Sequence, residues 1–229
     1  NDPSNINNIQ YSWVNADRNP SKTSEEIILV GFDSDGNDVN AFVWNGTNFT
    51  NNVEVSSAST ATSEREAIDA VYTGNTSSCA NCTVGFVAAA SGTSGVVSGR
   101  LWTGSSWLTA DLGDMASGND DVQWVKLRDS PNGKIILLVQ ESGSDIQTAI
   151  WNGANWSLNN VTDTTVDSLT SRIAGVAWNS SGSDAFLAWD TDGAGNRMNF
   201  DYCTFPDAGN NKCTLSLKNI TAPVGTAWN

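Results

Sequence analysis

Apolar residues fall in short runs separated by polar, glycine-rich stretches, and the runs recur in a fixed order. One kind is apolar nearly throughout: residues 27–32, 84–88, 135–139 and 184–189. Runs of this kind fit strands covered on both faces. A more mixed run precedes each, at 11–14, 68–72, 122–125 and 173–178. Valine, isoleucine and aromatics dominate both kinds, and turn residues lie between them, so both are predicted as strands. After three of the apolar runs comes a hairpin with two aromatics five places apart and a glycine two places after the first. The copies are Trp44-Asn45-Gly46-Thr47-Asn48-Phe49, Trp102-Thr103-Gly104-Ser105-Ser106-Trp107 and Trp151-Asn152-Gly153-Ala154-Asn155-Trp156. Asn-Gly between apolar strands predicts a type I′ turn, with both central residues at positive φ.

A recurrence of about 50 residues marks a supersecondary unit copied along the chain. About four strands per unit is the size of a propeller blade, and too few residues for a whole sandwich domain. The expected fold is therefore all-β, a β-propeller of about four four-stranded blades, as one domain over residues 1–229. Its parts are a half blade at 9–38, blades at 39–90, 97–140 and 146–190, and a drifted, cysteine-bearing partial blade at 196–229. The closing segment 224–229 resembles both 176–179 and 13–15, so first and last strands would compete for one slot in a four-blade ring. Either the chain is an excerpt of a larger propeller, or an end strand pairs between subunits; a closed four-blade ring is the alternative. Ser63 and Glu66 have the spacing of a capping box, which fits a helical turn or a loop entering a strand.

The net charge is −14, yet only 16% of residues are charged. Such a surface repels nucleic acid and anionic membrane, and neither is expected as a partner. No stretch has transmembrane length. The chain lacks an initiator Met and a signal-peptide core, as expected of a processed, extracellular or cell-surface chain. Eight Asn-x-Ser/Thr sequons start at Asn45, Asn48, Asn75, Asn81, Asn155, Asn160, Asn179 and Asn219. Asn48, Asn155 and Asn160 fall at or just after hairpin turns, where a glycan can project. Four cysteines in such a chain favour disulfides, Cys79 with Cys82 and Cys203 with Cys213, over a four-cysteine zinc site.

Histidine is absent, which excludes histidine-based triads and histidine metal sites. Carboxylate pairs can hydrolyse glycosides. A sialidase, however, needs an arginine cluster, and the arginines (18, 65, 100, 128, 172, 197) do not recur at one blade position. No catalytic residue is assigned and no enzyme activity is expected. The connectors Asp33-Ser34-Asp35-Gly36-Asn37-Asp38 and Asp190-Thr191-Asp192-Gly193 gather hard oxygens on tight loops, as calcium requires. Ordinary Asp/Gly turns have the same composition. The sister connectors at 91–95 and 141–145 lack the Asp-x-Asp pair. Trp44, Trp102 and Trp151 are expected to pack between blades. The second aromatics, Phe49, Trp107 and Trp156, are candidates for stacking on a sugar.

The Trp-x-Gly-x-x-Trp hairpin followed by two apolar strands resembles the blades of secreted bacterial and archaeal β-propeller proteins, lectin-like and sialidase-like propellers among them. The similarity covers about residues 27–190. The main expectation is a non-enzymatic extracellular structural or adhesive protein, such as a cell-surface or filament subunit that self-associates through terminal strands. The alternatives are a carbohydrate-binding propeller and a glycoside-processing enzyme.

Overall fold

The structure is a computed structural model that describes residues 10–21, 23–59, 61–62, 65–74, 83–93, 95–114, 120–143, 145–151, 155–158, 174–190, 197–204 and 218–221. For 113–114, 157–158, 190, 197–204 and 218–221 it describes the backbone alone. The strands form four antiparallel meanders. The first sheet is β1 (Tyr11–Arg18), β2 (Ile27–Asp33), β3 (Asp38–Trp44) and β4 (Phe49–Ser56). The second is β5 (Ile68–Tyr72), β6 (Gly85–Ala90), β7 (Val96–Trp102) and β8 (Trp107–Thr109), with β9 (Gly113–Asp114) also on β7. The third is β10 (Val122–Asp129), β11 (Ile135–Glu141), β12 (Ile146–Trp151) and β13 (Trp156–Leu158). The fourth is β14 (Ala174–Trp178), β15 (Asp184–Asp190), β16 (Arg197–Thr204) and β17 (Lys218–Thr221).

The second strands of the second and third sheets are sandwiched between neighbouring sheets, and every residue of β6 and β11 is buried. That is what an unbroken apolar run requires. The first strands stack side by side: β1 on β5, β5 on β10, β10 on β14. Polar contacts link the strands of this inner row. The Tyr72 N–H donates to the Asp17 carboxylate at 2.8 Å. The Leu127 N–H donates to Asp69 at 2.7 Å, and the Trp178 indole donates to the Arg128 carbonyl at 2.9 Å. Asp69 is 1% exposed and sits 3.0 Å from the Lys126 ammonium.

Three expectations change. The hydrogen-bonded sheets are phased half a unit from the boundaries drawn on the sequence. The segment 39–90 runs from the outer half of one sheet to the inner half of the next, because the Trp hairpin that marks the repeat is the outer edge of a blade. No half blade is left at the N-terminal end, since β1 and β2 are the inner strands of the first sheet, paired onward to β3 and β4. Two of the hairpin turns also differ from type I′, and the third, at 152–154, lies outside the described residues. The Asn45 N–H donates to the Asn48 carbonyl at 3.1 Å and Thr103 to Ser106 at 3.1 Å, so the central residues are Gly46-Thr47 and Gly104-Ser105. Only the glycines have positive φ, 93° and 87°. That is the type II′ pattern, with glycine first. The Asn45 side chain accepts the Thr47 and Asn48 N–H groups, which fixes it before the glycine rather than at a central position.

Candidate functional site

The aromatic pair of each hairpin faces across its strands in one geometry. Ring centroids are 5.1 Å apart for Trp44 and Phe49, 5.3 Å for Trp102 and Trp107, and 5.7 Å for Trp151 and Trp156. The three pairs belong to three different sheets. The second aromatics, Phe49, Trp107 and Trp156, therefore do not share a site; each stands at the outer edge of its own blade. Phe49 is 55% exposed. Trp102 and Trp151 are buried, and Trp44 half-buried.

The crevice between the second and third sheets is open, with a volume of about 480 Å³. Trp151, Asn155 and Trp156 line it from the third sheet; Leu101, Leu108, Thr109, Ala110, Asp111 and Leu112 line it from the second. Trp156 packs edge-on against Phe86 at 4.8 Å, which fixes its ring. The indole N–H groups of Trp151 and Trp156 are buried and have no acceptor. A buried donor left without an acceptor costs about 1–3 kcal/mol, so the two tryptophans that line this crevice each carry a demand for oxygen that the protein leaves unmet. Asp111 brings charge to the rim. One of its oxygens accepts from the Gly99 N–H at 2.9 Å and from the Arg100 guanidinium at 3.0 Å. Apolar rings and indoles on one wall, facing an Arg100-paired carboxylate on the other, suit a small polyhydroxylated molecule.

The equivalent tryptophans of the second sheet face the first sheet, and there both donors are used. The Trp102 indole donates to the Glu26 carboxylate at 3.3 Å. The Trp107 indole donates to the Asn51 carbonyl. Glu26 also receives the Asn19 amide at 3.1 Å and the Tyr72 hydroxyl at 3.5 Å. Burial, and then the Glu26 carboxylate, hold the Tyr72 hydroxyl protonated well above the ordinary tyrosine range.

Of the residues considered for calcium, Asp33 and Asp38 face each other across the β2–β3 turn and Asp35 is exposed. The Asp33 carboxylate accepts the Asp35 N–H at 2.9 Å, which makes this connector an Asx-type turn. Among the described residues, three acidic side chains converge within 4.8 Å: Glu141 and Asp145, which bound the sister connector of the third sheet, and Asp120. Spacing along one loop could not reveal them, because Asp120 comes from the segment before β10. Asp190 contributes its backbone to β15, and Asp192 lies outside the described residues.

Among the sequons, Asn45, Asn48 and Asn155 are exposed. Asn179 donates its amide to Asp184 at 2.7 Å, the nitrogen a glycan would need. Asn219 lies on β17; Asn75, Asn81 and Asn160 lie outside the described residues, as do Cys79, Cys82 and Cys213. Cys203 contributes its backbone to β16. Ser63 and Glu64 also lie outside them.

Four antiparallel four-stranded meanders, stacked by their inner strands, define the chain as a β-propeller. Its fold is similar to that of the Aleuria aurantia lectin, a fungal six-bladed β-propeller described with a fucose recognition mode (TM-score 0.52, 15% identity, over 93% of this chain and 65% of that one). It is similar also to SapL1 lectin in complex with α-methyl fucoside (TM-score 0.52, 15% identity, 91% and 65%) and to AofleA from Arthrobotrys oligospora (TM-score 0.53, 11% identity, 91% and 56%). The chain thus spans less than two thirds of the length of these proteins. No protein-family model matches the chain, and no curated protein matches its sequence. At these identities the likeness concerns the fold.

Proposed function

We propose that the chain is a non-catalytic, extracellular carbohydrate-binding propeller whose ligand enters the crevice between the second and third sheets. The observation that carries this reading is that Trp151 and Trp156, whose buried indole N–H groups have no acceptor, both line an open crevice. A sugar meets all of its demands at once. Its oxygens accept from the two indoles, its hydroxyls donate to Asp111, and its C–H face stacks on an aromatic ring. The lectins of similar fold include ones solved with α-methyl fucoside, which makes fucosides the first sugars to test. The lectins of similar fold support carbohydrate binding rather than a filament subunit, and the closing segment 224–229, on which strand exchange between subunits would rest, lies outside the described residues. Among the described residues no helix is long and apolar enough to cross a membrane.

Fluorescently labelled chain on a glycan array tests the reading. Binding to a defined set of glycans is expected. Trp156→Ala should cut it by tenfold or more, the loss typical of a buried aromatic anchor of about 2 kcal/mol. Phe49→Ala, on the outer edge of the first sheet, should leave it intact. An empty array, or equal binding by the Trp156→Ala variant, would refute the assignment.

A further inference from the structure

The two crevices are made from the same repeat positions. The N–H that closes the turn between the first two strands of a sheet donates to the carbonyl of Glu26 in the first sheet (from Asn19, 2.9 Å) and of Val84 in the second (from Thr73, 3.0 Å). Glu26 and Val84 are therefore equivalent. So are Trp102 and Trp151, which both pair with the first residue of the second strand, Gly85 and Ile135. Trp107 and Trp156 are their cross-strand partners. What differs is what stands opposite. In the first crevice a carboxylate takes the Trp102 donor, while the second has an aliphatic valine at that position. The outer strands differ as well. Asn51 and Asn52 bulge from β4 opposite Phe42, and Asn51 has φ 49°, the conformation in which its carbonyl meets the Trp107 indole. In the second sheet, β8 pairs without a bulge and ends at Thr109, which lines the open crevice.

We propose that the crevice between the first two sheets is a second ligand site held closed by the chain itself: the Glu26 carboxylate and the Asn51 carbonyl occupy the two indole donors that sugar oxygens engage in the open crevice. The inference rests on the carbohydrate reading of that open crevice. The residue before the second strand of a blade, together with the outer-strand bulge, then sets how many sites the chain offers. Glu26 acts as a built-in ligand.

The test follows tryptophan indole N–H signals by NMR on ¹⁵N-labelled full chain, with methyl α-L-fucoside, methyl α-D-mannoside and N-acetylglucosamine as probes, and site number by calorimetry. In the wild type, the Trp151 and Trp156 signals should move with sugar while those of Trp102 and Trp107 stay. Glu26→Val combined with deletion of Asn51 should make Trp102 and Trp107 respond too, with one site gained per chain. The converse variant, Val84→Glu, should shift the Trp151 signal without sugar and weaken binding about tenfold or more, whereas Val84→Leu keeps it. The Val84 pair carries the test if the deletion variant does not fold. A folded deletion variant with no added site, or Val84→Glu binding like wild type, overturns the inference and leaves the open site standing. No indole response in wild type to any probe sinks both.

Discussion

Trp102 and Trp151 occupy one repeat position, yet the first spends its indole donor inside the protein and the second does not. Glu26 takes the Trp102 donor, and the repeat-equivalent residue of the next sheet is Val84, which has no acceptor to offer. The same logic governs Asp69. Its buried carboxylate accepts the Leu127 and Ala70 N–H groups and faces Lys126 at 3.0 Å. Asp69→Ala leaves two buried N–H donors and a mostly buried ammonium unanswered, a loss of about 3 kcal/mol. A thermal melt should show the midpoint lowered by roughly 6–12 °C for a chain of this size; a shift under about 2 °C would mean that the carboxylate does not hold the inner strands together.

At the scale of the strand and hairpin, much was legible in the residues. The unbroken apolar runs predict strands buried on both faces, and β6 and β11 are buried at every position. The Trp hairpins are where the motif puts them. The turn type was not legible, because Asn45 and Thr103 join the strand ladder instead of the turn, which moves glycine to the first central position. Gly104 has φ 87° with open space around its missing Cβ. Gly104→Ala should therefore cost only the backbone strain, about 1 kcal/mol, or some 2–4 °C of melting temperature, with no change in sugar binding. Loss of binding would mean that this hairpin touches ligand.

Across the whole molecule, inner strands of the first and third sheets sense each other. Partial burial, and then the Asp17 carboxylate, push the Asp129 carboxyl above its ordinary range. The folded state therefore penalises the ionised form of Asp129. That penalty is present at neutral pH and vanishes below the ordinary carboxylate pKa. Asp129→Asn should raise the melting temperature at pH 7 and change nothing at about pH 3; a gain at both would assign the effect to something other than charge. The open crevice also belongs to this scale, and the residues could not announce it. Trp156 stands out as a repeated aromatic, but Asp111, Arg100, Glu26 and Asn51 gain meaning only when one sheet is laid against the next. The signal that could have found them is the repeat alignment itself: tryptophan is kept at 102 and 151 while the residue at the turn before the second strand changes from Glu26 to Val84.

The central claim is that two indole N–H groups, and not merely two aromatic rings, hold a sugar between the second and third sheets. Trp151→Phe/Trp156→Phe keeps the rings and removes the donors. Calorimetric titration of this variant and the wild type with the glycan captured on the array compares them directly. The account predicts wild-type binding that weakens by tenfold or more in the variant, at least about 1.4 kcal/mol. Equal affinity of the two proteins would contradict it.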